Sequence, residues 1–285
     1  MTELQTRLIK AWLEACECEL NAFKPGNVSI YSNADDMSVD DFRRSAAVSA
    51  PFITDPKFTL GEKIYHAVQA TRAEVGCNTN LGIILLCAPL IQAMQTDQLS
   101  GSLRERLGRI LNNTTVNDAQ WTYRAIQLAA PGGLGKAEQQ DVSDQPEINL
   151  TEAMKLASHR DHIAYQFNSQ YSTVFEIAMI RYRLAFGRWK DEYWTTVAVF
   201  LDLLRQIPDS HIERKFGSQY TACIAARAAF LFEKLSNSVS PEQIYQDLQE
   251  TDTEFKSKGI NPGTTADLTV ACLLSIRLEV LLADH

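Results

Sequence analysis

Apolar residues recur at intervals of three and four along almost the whole chain, and no stretch alternates in the manner of a half-buried strand. The first example is formed by Leu4, Leu8, Trp12, Ala15 and Cys16. Because an α-helix turns once every 3.6 residues, this spacing places the apolar side chains on one face. The sequence therefore predicts an all-α protein without a sheet.

Capping residues and helix breakers divide this pattern into about twelve predicted helices. Polar loops are expected at residues 28–37, 130–146 and 208–217. The predicted helices cover residues 4–23, 38–50, 59–76, 80–96, 100–112, 115–129, 150–165, 167–187, 191–207 and 218–236, with one more after Ser240 and the last after Thr265.

Length and composition indicate one globular helical domain over residues 1–285, since 285 residues that are 45% hydrophobic supply an ample core. The net charge of −8 argues against a nucleic-acid or anionic-membrane surface. The longest apolar run begins at Leu81 and is cut by Pro89, too early to span a bilayer. With no signal-peptide pattern and six cysteines in apolar helical contexts, we expect a cytoplasmic protein with reduced thiols.

The segment from Gly76 to Gly82 places two asparagines and a threonine between glycines, directly before the apolar run. Gly76 fits the left-handed end of one helix, and Asn78 or Thr79 fits the cap of the next. A helix start carries free N–H groups that can hold a phosphate, so Asn78 and Asn80 are candidate phosphate ligands. Spacing alone favours the alternative, a plain corner between two helices.

A second polar turn, Lys24-Pro25-Gly26-Asn27, ends the first helix. Lys24, Gly26 and Asn27 are candidate phosphate-binding residues, and Glu19 precedes them by about one turn as a candidate catalytic carboxylate. The alternative for Lys24 is a cation that neutralises the carboxyl end of the helix.

Two carboxylates, Asp161 and Asp267, are expected on apolar helix faces. A buried carboxylate without a partner is costly, so each should be paired, metal-bound or catalytic. For Asp161 a structural ion pair and a functional role remain open, and Arg160 beside it is a candidate substrate contact. Gly263 and Thr264 form the turn that precedes Asp267 and are candidate binding residues.

Two further segments carry charge suited to phosphate or metal. Arg214 and Lys215 are adjacent cations that suit a phosphate group. The glycine-rich loop that starts at residue 130 lacks the Gly-Lys-Ser/Thr spacing of a P-loop. Asp141 and Asp144 follow it and can share Mg²⁺ with substrate phosphates; the alternative is a mobile surface loop.

Four motifs, in this order along the chain, resemble the triphosphoribosyl-dephospho-CoA synthase family. They are Lys24–Val28, Gly76–Gly82, Glu152–Met154 with Arg160–Asp161, and Asn261–Leu268. The resemblance implies an all-helical enzyme that moves a ribosyl unit from ATP onto the 2′-hydroxyl of dephospho-CoA, with adenine leaving. In that family the product is the prosthetic-group precursor of the acyl carriers of citrate lyase and malonate decarboxylase.

The chain departs from the family pattern at Asn80-Leu81, where the synthases carry a His-Lys pair. The Asn-Thr-Asn-Leu-Gly form is similar to a branch from methanogens and methylotrophs that is associated with tetrahydromethanopterin-linked one-carbon metabolism. That resemblance implies a (phospho)ribosyltransferase that modifies a methanopterin precursor, with ATP or phosphoribosyl pyrophosphate as donor. The alternatives are the parent reaction on dephospho-CoA and a non-catalytic nucleotide-binding helical protein.

Such a transfer needs a base for the acceptor hydroxyl, negative charge beside the cationic ribose and cations for the phosphates. We expect Asp161 or Asp267 to be the base, with the other or Glu19 beside the ribose. The expected partners are a phosphorylated small molecule and a nucleotide or phosphoribosyl donor, with a homodimer as a candidate assembly. The expected phosphate-binding groups are Lys24, Arg214, Lys215, helix N-termini and Mg²⁺ on Asp141 or Asp144.

Overall fold

The computed structural model describes residues 1–32, 37–96 and 100–284, and these residues contain fourteen α-helices and no sheet. The predicted all-α class is confirmed. The helices are α1 (Glu3–Asn21), α2 (Val39–Ile53), α3 (Leu60–Val75), α4 (Leu81–Met94), α5 (Leu103–Asn112), α6 (Val116–Ala129), α7 (Leu150–Ala157), α8 (His162–Ser169), α9 (Met179–Trp189), α10 (Glu192–Gln206), α11 (Ser210–Phe216), α12 (Thr221–Asn237), α13 (Tyr245–Ser257) and α14 (Gly263–Ala283).

The helix starts are fixed by side-chain caps where the sequence predicted them. Ser38, Thr59, Thr115 and Asn149 each accept a hydrogen bond from the backbone of the third helical residue, and the acidic residue there bonds back. At the other end of α3, Gly76 adopts the left-handed conformation with φ of 71°. Local sequence thus determines most of these boundaries.

Two helices that were predicted to be continuous are interrupted in the structure. The helix expected over residues 150–165 ends at Ala157 and restarts at His162, because Asp161 caps α8 and does not lie on a continuous apolar face. The helix expected over 167–187 is interrupted at Gln170 and Tyr171, which have positive φ values of 51° and 58°. Tyr171 is fully buried there and donates a hydrogen bond to the Leu86 carbonyl at 2.9 Å, so tertiary packing overrides the local pattern.

Other differences are smaller. Pro51 lies inside the last turn of α2 and does not end it. The expected polar segment 208–217 contains α11, and α14 starts at Gly263, before the predicted position. Of the loop predicted at 28–37, residues 33–36 lie outside the described residues.

Two hydrophobic clusters form the interior. The larger cluster surrounds α4, which is buried over nearly its whole length, and includes α1, α2, α3 and α14. The smaller cluster joins α10, α12 and α13 with Phe23. Among the described residues, no helix has both the length and the apolar character needed to cross a membrane.

The first turn of α3 packs directly against the start of α6. The Gly61 N–H donates to Asp118 Oδ1 at 2.9 Å, and a Cβ on Gly61 would lie 2.6 Å from the Asp118 backbone. We expect Gly61→Ala to lower the free energy of unfolding by about 1–3 kcal/mol, because the two helices must separate. Denaturant unfolding measures this difference.

Gly187→Ala in α9 is the matched control, since nothing lies within 4 Å of its added methyl group. Helix propensity alone should stabilise that variant by up to about 1 kcal/mol. Equal changes in the free energy of unfolding for Gly61→Ala and Gly187→Ala would contradict the close approach of α3 and α6.

Candidate active site

The N-termini of α4 and α14 meet at Asp267. Gly82, in the first turn of α4, approaches Asp267 of α14 so closely that a Cβ on Gly82 would overlap carboxylate oxygen Oδ2. Asp267 is only partly exposed, and no hydrogen bond to its carboxylate occurs within the part of the chain that the structure describes. The glycine therefore makes room for a carboxylate whose oxygens remain available to a ligand.

The surroundings of Asp267 favour its protonated form. Burial raises the pKa of this carboxyl well above its usual value, and the nearby carboxylates of Asp209, Glu19 and Asp161 raise it further. The Arg214 guanidinium acts in the opposite direction on the same pKa. Four acidic groups from distant parts of the chain therefore lie within electrostatic range of one another.

Asp209 joins the starts of two helices, and the sequence analysis did not single it out. Its Oδ1 caps α11 by accepting from His211 N at 3.0 Å and Ile212 N at 3.1 Å. Its Oδ2 accepts from the backbone N and the hydroxyl of Thr265 in α14, both at 2.8 Å. The signal was the N-cap pattern Pro208-Asp209-Ser210, a sequence typical of a helix start.

Asp161 forms a structural ion pair, one of the two roles that the sequence left open for it. Its Oδ1 caps α8 through Ile163 N and Ala164 N, and its Oδ2 contacts Arg214 Nη1 at 2.5 Å. Both oxygens are therefore engaged in the structure. Arg214 keeps a buried Nε–H without a partner among the described residues, so the guanidinium has a donor left for a ligand.

Two turns predicted to share the site lie against each other. Asn27 Nδ2 donates to Asn261 Oδ1 at 2.8 Å, and Gly26 N donates to Asp252 Oδ1 at 2.8 Å. Gly26 has a φ of 82°, and a Cβ there would lie 2.8 Å from the Ile260 carbonyl, so only glycine fits this close approach.

The Lys24 ammonium stabilises this turn from inside. It is fully buried and donates to the carbonyls of Glu19 at 2.7 Å and Val28 at 2.8 Å. The Glu19 carboxylate lies 3.1 Å away. The Lys24 ammonium therefore binds groups of the protein itself, which agrees with the alternative interpretation that it neutralises the carboxyl end of α1.

Three side chains in the turn before α4 have different roles. Asn78 Oδ1 accepts from Leu81 N at 3.1 Å and is the cap. Thr79 donates to Ser45 Oγ at 2.6 Å. Asn80 occupies the N-cap position but makes no capping bond, and its buried Nδ2 has no partner within the described residues.

Gly263 and Thr264 lie in the first turn of α14, beside α11, and not in a turn before the helix as the sequence predicted. The Thr264 hydroxyl bonds with Ser210 Oγ at 3.0 Å and accepts from His211 N at 3.1 Å. The His211 ring lies against Gly263, whose added Cβ would be 3.4 Å from it. Burial lowers the pKa of His211, so this imidazole is favoured in its neutral form.

The remaining predicted contacts are more peripheral. Arg160 is exposed in the turn before Asp161. Lys215 is exposed and its ammonium lies 3.3 Å from the Gly259 carbonyl. The glycine-rich loop borders α11, since a Cβ on Gly133 would lie 3.3 Å from the Arg214 carbonyl.

Asp141 and Asp144, the two carboxylates predicted to share Mg²⁺, have different surroundings. Asp141 accepts three hydrogen bonds from its own loop, one from Ala137 N and two from Ser143, and these bonds lower its pKa to about 2. Asp144 is exposed. Over residues 1–32, 37–96 and 100–284, no group of three or more His, Cys, Asp or Glu side chains is arranged to hold a metal ion.

Comparison with known proteins decides the family. Residues 5–284 match the model of the CitG family, described as ATP:dephospho-CoA triphosphoribosyl transferase. The chain belongs to this family. It is therefore a ribosyl-type transferase, and the resemblance inferred from the four motifs is confirmed.

Structural comparison agrees with that assignment. A crystal structure from Archaeoglobus fulgidus, described as a candidate triphosphoribosyl-dephospho-CoA synthase, matches with a TM-score of 0.62 and 25% identity. The alignment covers 81% of this chain and 96% of that one. No functionally curated protein shows significant similarity to the chain.

The folded protein should be destabilised at neutral pH by the ionised carboxylate of Asp267. Above pH 3.8 the unfolded chain ionises Asp267, whereas the folded chain retains the proton until its raised pKa is reached. Stability is therefore lost as pH rises from about 4 towards that pKa. We expect Asp267→Asn to raise the melting temperature at pH 7 but not at pH 4, as measured by calorimetry.

The control for this stability measurement is Asp40→Asn in the first turn of α2, where the side chain is 77% exposed. It should change the melting temperature little at either pH. A lower melting temperature of Asp267→Asn at pH 7 would contradict the inference that the ionised Asp267 carboxylate destabilises the folded protein.

Proposed function

We propose that this enzyme transfers a triphosphoribosyl unit from ATP to the 2′-hydroxyl of dephospho-CoA and releases adenine. The observation that carries the proposal is the approach of the Asp267 carboxylate to the starts of α4 and α14, beside Arg214. An acid–base group and anion-binding donors therefore lie at one place. The match over residues 5–284 to the triphosphoribosyl transferase family supports these substrates.

Asp267 is the best placed base, and Asp161 is not. A base must take up a proton, and three of the four lone-pair positions of the Asp161 carboxylate already accept hydrogen bonds, one of them from the Arg214 cation. A raised pKa also makes Asp267 a stronger base once it is ionised, which suits proton transfer near neutral pH. Asp161 instead holds Arg214 in place.

In the proposed reaction the bond between ribose C1′ and the acceptor oxygen forms as the bond from C1′ to adenine N9 breaks. The hydroxyl proton passes to Asp267 and from there to the departing adenine, so no further proton donor is required. The Asp209 and Glu19 carboxylates near Asp267 supply negative potential that favours the cationic ribose in the transition state.

Anion-binding groups lie on one side of Asp267. Arg214 offers its unpaired Nε–H. Among the described residues the first turn of α14 adds the Thr264 N–H, since the N–H groups of Gly263, Thr265 and Ala266 already have acceptors in the protein. Lys215, in the last turn of α11, adds an exposed cation. We assign the triphosphate to this side and assign no phosphate to Lys24, whose donors are used within the protein.

Mg²⁺ is expected with the triphosphate, because Mg²⁺ is usually held by phosphate oxygens and water together with one or two carboxylates. Asp141 already accepts three hydrogen bonds within its loop, so we assign no ion to it. Asp267 is kept for proton transfer. An ion carried by the triphosphate would neutralise phosphate charge.

One observation favours a second candidate, transfer to a methanopterin precursor. At the position of the family's lysine, Leu81 is 7% exposed and packs in the core. The phosphate contact that a lysine would supply is therefore missing at the start of α4. Phosphoribosyl pyrophosphate and a ribitol-bearing acceptor are the substrates to test for this candidate.

The first experiment incubates the full chain with ATP, Mg²⁺ and dephospho-CoA and measures free adenine and the mass of the product. We expect adenine release in equal amount to the triphosphoribosyl product. We expect the rate to increase with pH while Asp267 ionises, because only the ionised carboxylate accepts the proton. Asp267→Asn should lower kcat at least about 100-fold.

Asp40→Asn serves again as the control and should keep its activity. Turnover only with phosphoribosyl pyrophosphate and a ribitol-bearing acceptor would replace the proposed reaction with the second candidate. Nucleotide binding without adenine release from any donor would identify a non-catalytic nucleotide-binding protein and refute both.

A further inference from the structure

A narrow recess lies beside the candidate active site, between α1, α2, α4 and α14. Its wall includes Val270, which follows Asp267 by about one turn of α14, and Ile83, which follows Gly82. It therefore adjoins the place where the acceptor hydroxyl reacts. The residues that line the recess are Cys16, Glu19, Leu20, Phe42, Ala46, Asn80, Ile83 and Val270.

Asn80 contributes an amide that the fold itself does not use. The residue is only 5% exposed, and its Nδ2 has no hydrogen-bond partner within the described part of the chain. Capping of α4 is left to Asn78. A buried donor without an acceptor is unfavourable, so a ligand that supplies an acceptor to Asn80 Nδ2 would bind favourably there.

Glu19 gives the recess a negative wall. Its side chain is 5% exposed, and its Oε1 lies 3.1 Å from the buried Lys24 ammonium. A carboxylate accepts hydrogen bonds and repels anions. A group that binds between Asn80 and Glu19 must therefore accept from the amide, donate to the carboxylate and carry no negative charge.

The size of the recess restricts the ligand further. The cavity volume of the recess is only about 10 Å³. That is room for about one water molecule. A hydroxyl fits, whereas a phosphate group or a base ring does not.

We propose that this recess binds one uncharged ribose hydroxyl of the acceptor nucleotide and excludes a phosphate at the same position. The identity of this hydroxyl rests on the proposed function: it is the 3′-hydroxyl of dephospho-CoA, next to the 2′-hydroxyl that reacts at Asp267. The recess thereby distinguishes dephospho-CoA from coenzyme A, which carries a 3′-phosphate. Asn80 and Glu19 are specificity-determining residues in this arrangement.

The test measures equilibrium binding to the full chain by calorimetry without ATP, so that it does not depend on turnover. We expect dephospho-CoA to bind at least about 30-fold more tightly than either coenzyme A or the 3′-deoxy analogue. Asn80→Asp removes the amide donor and should weaken dephospho-CoA binding about 10-fold, with no comparable loss for the 3′-deoxy analogue.

The control is Asn117→Asp, the same chemical change at an exposed position in the first turn of α6. It should leave all three affinities unchanged. Glu19→Gln should narrow the preference for dephospho-CoA over coenzyme A, because the repulsion of the 3′-phosphate falls. Glu19→Gln leaves Lys24 without its carboxylate partner and can fail to fold. The test of the proposed subsite therefore rests on the Asn80→Asp result alone.

Equal affinity for dephospho-CoA and its 3′-deoxy analogue, or unchanged selectivity in Asn80→Asp, would mean that the recess holds only an ordered water. That outcome overturns the subsite even if adenine is released with dephospho-CoA. Conversely, selective binding of dephospho-CoA without adenine release would support the subsite and refute the proposed reaction.

Discussion

The site depends on one carboxylate that holds two helix starts together. Asp209 caps α11 with one oxygen and binds the first turn of α14 with the other, at distances of 2.8–3.1 Å. A helix start has free N–H groups, and a shared carboxylate satisfies several of them at once. Because Arg214 lies in α11 and Asp267 in α14, this contact sets the position of both relative to each other. The same negative charge then raises the pKa of Asp267, so the structural contact also alters the chemistry of its neighbour.

The sequence predicted the parts of the fold that local forces decide. Capping residues such as Thr59 and Asn149 determine helix starts within a few residues, and the structure follows them. The breaks at Asp161 and Gln170 were not predictable in that way, since they depend on distant partners. Arg214 pairs with Asp161, and Tyr171 reaches the Leu86 carbonyl across 85 positions of the chain. Periodicity records which residues are apolar, but it does not record where a helix must stop to let another segment pack.

The same distinction between local and tertiary effects applies to the candidate site. Motif order identified the turns, and two of them do meet, through Asn27 and Asn261. The sequence did not specify the role of each side chain within its turn. Lys24 supports the backbone of its own turn, Asp161 is an N-cap paired with Arg214, and Asp209 was missed because an N-cap residue resembles any other helix start. Which lone pairs and N–H groups remain free is a property of tertiary structure, and free groups are what a substrate can use.

The exchange at Asn80-Leu81 illustrates this last point physically. A lysine at residue 81 would bring a charge into a core position that is 7% exposed, whereas leucine packs there without cost. Losing that cation leaves the start of α4 with less attraction for phosphate. Asn80, one residue earlier, faces a recess that is both too small and too negative for an anion, beside Glu19. In the proposed arrangement, phosphate binding is therefore assigned to Arg214 and the start of α14, and the start of α4 is assigned to neutral groups of the acceptor. Separation of anionic and neutral subsites around a single carboxylate gives the two substrates distinct places, which a transfer between them requires.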